Sequence, residues 1–154
     1  MSDIPGETSD RPLQAVLFAC TLNAVRSPMA EALLKWRAGG RLYVQSCGAH
    51  ADDEVDGFAV AVMAELGLDI SHHRPRSFDD LDEGGFDLVV TLAPDAHHRA
   101  IELTRSEDVN IEYWQTFDAT SVQGSREQML SAYREVRDQL DANITRRFAE
   151  WVTR

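Results

Sequence analysis

Residues 16–34 read VLFACTLNAVRSPMAEALL. The first residues belong to a near-continuous apolar run, Gln14–Ala19, which predicts a strand buried on both faces. Ser27-Pro28 then opens a helix, because proline is tolerated in a first turn where its missing N–H has no intrahelical role. Met29, Leu33, Leu34 and Trp36 give that helix apolar positions, and Gly39-Gly40 ends it. Between strand and helix lie eight residues that begin at Cys20 and close with Arg26-Ser27.

The remaining chain repeats the alternation. Leu42–Ser46 is a second short strand. A helix is predicted over Phe58–Leu66, with Phe58, Val62 and Leu66 on one face and Gly67 as its cap. Ser71–Gly85 is polar and reads as a loop. Phe86–Leu92 is a third strand, Pro94 starts a helix to about Thr104, and Val109–Trp114 is a fourth strand. After a loop over Gln115–Gly124, a last helix runs from about Ser125 to Trp151. Its stripe is Leu130, Tyr133, Val136, Leu140, Ile144, Phe148 and Trp151. The order β-α-β-α-β-α-β-α predicts a single-domain α/β three-layer sandwich, a four-stranded parallel sheet with helices on both faces. Residues 1–12 read as a flexible tail and 13–154 as the domain. Ligands of such sheets bind beyond the carboxyl ends of the strands, where Cys20 falls.

Composition narrows the function. A chain of 154 residues suits one domain, and its net charge of −11 argues against binding nucleic acid or an anionic membrane. No apolar run reaches the ~20 residues of a membrane span. Residues 1–11 lack the pattern of an export signal, so a cytoplasmic location is expected. Two cysteines, Cys20 and Cys47, make no disulfide framework. His50, His72, His73, His97 and His98 are not at zinc-finger spacing, so neither a metal nor a cofactor is expected.

A tight strand-to-helix loop aims successive backbone N–H groups at a common centre, and the helix N-terminus adds partial positive charge. Thr21, Leu22, Asn23, Ala24, Val25, Arg26 and Ser27 would thus form a cradle the size of a phosphate. Arg26 can close it with a bidentate contact to two oxygens. Cys20 would lie at its base, where the same charges favour the thiolate, an in-line nucleophile.

Val16–Leu34 resembles the phosphate-binding loop of the low-molecular-weight protein tyrosine phosphatases, which carry Cys, five residues, Arg-Ser-Pro and then a helix with Ala-Glu. Ser46-Cys47-Gly48, the segment from Leu66 to Arg76, and Asp87–Val90 continue the resemblance. It implies that Cys20 is the nucleophile, Arg26 the phosphate clamp, and Ser27 a hydrogen-bond donor to the sulfur. Asn23 would brace the loop in a left-handed conformation, and Ser46 and His73 would support it from behind. The family's general acid lies in a late loop, which points to Asp118, with Asp95 as a rival that reads better as a first-turn helix acid. The substrate implied is a phosphorylated protein or a small phosphomonoester, and the protein a monomer or weak dimer.

Leu22 replaces a usual glycine and would reshape the cradle mouth. Val25 replaces a usual second cysteine, and Ala119 the proline after the acid, which would loosen that loop. Tyr113, Trp114 and Phe117 fit either an aromatic wall or the core. Two other functions compete. Thioredoxin-linked arsenate reductases share the cradle but relay electrons through two further thiols, and this chain has Cys47 alone. A phosphate- or phosphoprotein-binding module would use the cradle without fast turnover, but has no need of a nucleophile.

Overall fold

The structure, a computed structural model, describes residues 12–81, 84–105 and 107–152. The tail expected over 1–12 lies outside them except for Pro12. The strands are β1 (Ala15–Cys20), β2 (Tyr43–Gly48), β3 (Leu88–Thr91) and β4 (Asn110–Tyr113). The helices are α1 (Arg26–Ala38), α2 (Gly57–Ala64), α3 (Pro94–Thr104) and α4 (Arg126–Arg147). The strands form one parallel sheet in the order β2-β1-β3-β4.

The unbroken apolar run of β1 follows from its central place. Val16, Phe18 and Cys20 point to the side covered by α1, α2 and α4, while Leu17 and Ala19 meet Ala96 and Ala100 of α3. Successive residues of a strand face opposite sides, so both parities must be apolar here. Asp87 fixes the start of the strand: its carboxylate accepts from Gln14 N and Ala15 N at 2.8 and 2.9 Å.

Several boundaries move by a residue or two, and the end of the last helix by four. The α2 ladder stops at Ala64, but Gly67 (φ 78°) still ends the helix. Gly67 N–H donates to Ala64 O and Leu68 N–H to Met63 O, the paired bonds of a left-handed C-terminal cap. The polar stretch 71–85 contains a 3₁₀ turn, Phe78–Asp80, closed by reciprocal bonds between Ser77 and Asp80. Phe78 from this turn packs on the α3 side of the sheet. α4 opens on a capping box between Ser125 and Gln128 and yields to a 3₁₀ turn, Ala149–Trp151.

Phe148 sits at that transition, fully buried between Trp114 and Trp151. Trp114 in turn meets Phe18 of β1 edge-on, with ring centroids 6.0 Å apart. Trp114 is thus core rather than a wall of the cradle. Among the described residues no helix is long and apolar enough to cross a membrane. Phe148→Ala is expected to cost about 3–5 kcal/mol in urea unfolding. Ile101→Ala, at an exposed site on α3, should stay within about 0.5 kcal/mol.

Candidate active site

The loop from Cys20 to Val25 turns its carbonyls outward. Those of Cys20, Thr21, Leu22 and Ala24 accept from the N–H groups of Ala49, His50, Asp52 and Asp56 at 2.9–3.1 Å. The Asn23 carbonyl is bound by His73 Nε2 at 3.1 Å, and that of Val25 by Met29 N as the first bond of α1. All peptide bonds here are trans, so each outward carbonyl carries an amide N–H directed inward. No side chain caps the N-terminus of α1, which adds its partial charge to the same centre. This arrangement is an anion nest.

Asn23 makes the loop possible. It adopts φ 56°, the one positive φ at a non-glycine position among the described residues, which asparagine tolerates better than most. Its buried amide is fully engaged. Nδ2 donates to Ser27 Oγ at 2.8 Å and Ser46 Oγ at 3.0 Å; Oδ1 accepts from Arg76 N at 2.9 Å and His73 Nε2 at 3.0 Å. His73 is therefore a donor at Nε2. Burial lowers its pKa, against an opposing pull from Glu31. Ser46 Oγ in turn donates to Glu31 Oε1 at 2.5 Å.

Cys20 is 2% exposed, and its Sγ lies 2.9 Å from Ser27 Oγ and 3.4 Å from Ser27 N. Ser27 Oγ already accepts from Asn23, so its hydrogen can serve the sulfur or the Cys47 carbonyl at 3.2 Å. Arg26 is 8% exposed. Its guanidinium donates to Thr116 O at 3.1 Å and Thr21 Oγ1 at 3.2 Å, with further N–H groups left for an anion. Cys20, Thr21, Leu22, Ala24, Val25 and Arg26 line a cavity of about 80 Å³ together with Asp52, Asp56, Asp118 and Thr120.

Asp118 therefore shares the cavity with the sulfur. Its Oδ1 accepts from Thr120 N at 3.0 Å and Thr120 Oγ1 at 2.6 Å, capping a 3₁₀ turn over Ala119–Ser121. Ala119 is buried under this turn, so the segment is ordered by capping where a looser loop is expected from the missing proline. Asp95 lies in the first turn of α3, where its Oδ1 accepts from Ala96 N at 2.8 Å and Thr21 Oγ1 at 3.0 Å, outside the cavity lining. Leu22, 42% exposed, stands at the mouth; Phe117 is exposed and Tyr113 stacks on His97, and neither lines the cavity. No group of three or more His, Cys, Asp or Glu among the described residues could hold a metal ion.

Cys47 is sealed off. It pairs in register with Ala19, so its side chain faces α3 while Cys20 faces α1. Burial, with Cys20 nearby, pushes its thiol well up from the ordinary range, which keeps it protonated.

Other site residues carry weaker sequence signals. A Cβ on Gly48 would lie 2.4 Å from His50 O, 2.8 Å from Asn23 N and 2.9 Å from Thr21 O, all backbone. Gly48 thus lets β2 meet the cradle. Asp56 caps α2 through Oδ1 and accepts from Tyr133 Oη through Oδ2 at 3.0 Å, while its own N–H holds Ala24 O. The Asp-Gly pair just ahead of an apolar helix is the signal that could have marked it.

Gly48→Ala is expected to lower kcat/KM for p-nitrophenyl phosphate by about 10²-fold, because it displaces the cradle backbone; an unchanged value would contradict this packing. His73 makes a second expectation. Its depressed folded pKa means the unfolded chain binds more protons below about pH 6.5. Its contribution to stability is complete above that pH and is lost as pH falls through the folded value. Urea midpoints should drop between pH 7.5 and 5.5, and drop less in His73→Gln.

A model of the family described as low molecular weight phosphotyrosine protein phosphatase matches residues 15–153. An arsenate reductase of Bacillus subtilis (strain 168) is 35% identical over 135 residues, covering 88% of this chain and 94% of that protein. The glutaredoxin arsenate reductase of Synechocystis sp. is 30% identical over 132 residues, covering 86% and 94%. Among solved structures, the low molecular weight protein tyrosine phosphatase from T. tengcongensis superposes with a TM-score of 0.74 at 26% identity, covering 89% of this chain and 99% of that one. An arsenate reductase in the phosphate binding state superposes with a TM-score of 0.67 at 27% identity, covering 90% and 98%.

Proposed function

The chain belongs to the low molecular weight phosphotyrosine protein phosphatase family, and from that premise we propose that it hydrolyses phosphomonoesters, phosphotyrosine in proteins among them, through a phosphocysteine at Cys20. The observation that carries the reading is Cys20 Sγ at the base of the nest, with a Ser27 donor 2.9 Å away and the Asp118 carboxyl in the same cavity.

The phosphoryl group sits among the inward N–H groups, and Arg26 pairs with two of its oxygens. Cys20 attacks phosphorus in line as the thiolate. The bond to the leaving oxygen breaks, its electron pair goes to that oxygen, and Asp118 supplies the proton. Water then attacks phosphocysteine. Asp118, now a carboxylate, takes the water's proton, and the sulfur departs as a thiolate that accepts from Ser27 Oγ and N. The nest and Arg26 hold the equatorial charge throughout, in a geometry fixed before substrate arrives. The side chains of Asn23, Ser46 and His73 position the loop without touching substrate.

Arsenate reduction is the second reading, favoured by the activity named for the relatives. Arsenate fits the same nest, and Cys20 could form the first sulfur–arsenic bond. Releasing arsenite needs two electrons, delivered by a second thiol that ends in a disulfide with Cys20. Cys47 is the chain's one other cysteine and faces away across the sheet, so the second thiol would come from outside. The single-cysteine site supports hydrolysis as the main activity.

The deciding assay is p-nitrophenyl phosphate turnover with chelator present, beside arsenate with glutathione or thioredoxin as reductant. Hydrolysis is expected, falling to background in Cys20→Ser. Arsenite production without hydrolysis would reverse the two readings. Asp118→Asn should slow phosphotyrosine and alkyl phosphates by about 10²-fold or more, and p-nitrophenyl phosphate much less, because its leaving group needs little help. Equal slowing of both would remove Asp118 from the role of acid.

A further inference from the structure

The mouth above the cradle has the wrong charge for a bare phosphate. Asp52, Asp56 and Asp118 line the cavity, and Asp53 and Glu54 stand exposed on the same segment as Asp52. Asp95 adds another carboxylate at Thr21. Arg26 is the one cation in the lining, and it lies buried beneath. The acids differ in how far they are committed. Asp56 has both oxygens engaged, by the α2 N-terminus and by Tyr133. Asp52 accepts a bond from Asp53 N alone, and no cation among the described residues pairs with Asp52, Asp53 or Glu54.

A phosphomonoester dianion crossing this rim is repelled at every step before the nest attracts it. The Debye length is about 8–10 Å at moderate salt, so the Asp52 and Asp56 carboxylates on the cavity wall lie within range of a phosphoryl group in the cavity. The chain's net charge of −11 deepens the barrier. A ligand that brings its own positive charge turns that barrier into attraction. Leu22 suits such a ligand as well. Its exposed side chain lies beside the carboxylates and offers apolar contact to the methylene stem of a lysine or arginine.

Resting on the phosphatase reading above, we propose that this mouth selects phosphotyrosine in peptides that carry arginine or lysine beside it. The nest holds the phosphoryl group, and Asp52, Asp53 and Glu54 hold the flanking cations. Charge on the rim then sets which phosphoproteins are captured, and the cradle sets what is done to them.

The test uses the full chain and two phosphotyrosine peptides that differ only in flanking residues, arginine in one and glutamate in the other. Salt is raised from about 0.01 M to about 0.15 M. The basic peptide is expected to show a kcat/KM at least tenfold higher at low salt, an advantage within the range of electrostatic steering. That value should fall as salt rises, while kcat/KM for p-nitrophenyl phosphate rises. The variant carrying Asp52→Asn, Asp53→Asn and Glu54→Gln should bring the two peptides close together. Equal rates for both peptides in the wild type, a preference for the acidic one, or a basic preference that survives in the triple variant would overturn the inference. If the wild type turns over none of the three, the phosphatase reading fails by itself. The same peptides titrated against Cys20→Ser by fluorescence anisotropy would then still decide the charge preference.

Discussion

Asn23 is the residue on which the site depends. Its left-handed backbone bends the chain between strand and helix, and its side-chain amide ties that bend to four neighbours at once: Ser27, Ser46, His73 and Arg76. A buried amide with both donors and both acceptor positions filled has little freedom to turn, and losing one partner leaves an uncompensated polar group. Around it, the outward carbonyls pair with the segment from Ala49 to Asp56. The inward N–H groups are a consequence of those outward bonds. The anion site is built by what lies behind it.

This explains which parts of the site could be read in the sequence. β1, the start of α1 and the span from Cys20 to Ser27 combine a buried strand, a special loop and a helix within a few residues, so local pattern suffices. α3 is also local, opened by Pro94. Gly48, Glu31, Arg76 and Thr116 act across the fold through contacts that follow no spacing rule. Gly48 is fixed by a close approach between β2 and the cradle, and Thr116 by one carbonyl given to Arg26. The 3₁₀ turn at Phe78–Asp80 hides in a polar stretch because one buried aromatic is too short a pattern to register.

Two departures from the family pattern lie at the cradle itself. Leu22 and Val25 line the cavity, whereas Cys20, Arg26 and Ser27 match the residue types of the motif. Val25, and a Cys47 that faces the other side of the sheet, together leave Cys20 without a thiol partner of its own chain. An oxidised Cys20 would depend on an external thiol for recovery.

The account turns on a covalent bond between Cys20 and phosphorus. Its most direct measurement is rapid acid quenching of the Asp118→Asn protein with p-nitrophenyl phosphate, followed by intact mass and peptide mapping. Loss of the water-activating carboxylate should let the intermediate accumulate, as one phosphoryl group on the peptide that contains Cys20. Turnover without any phosphorylated protein, or label on another residue, would contradict the mechanism.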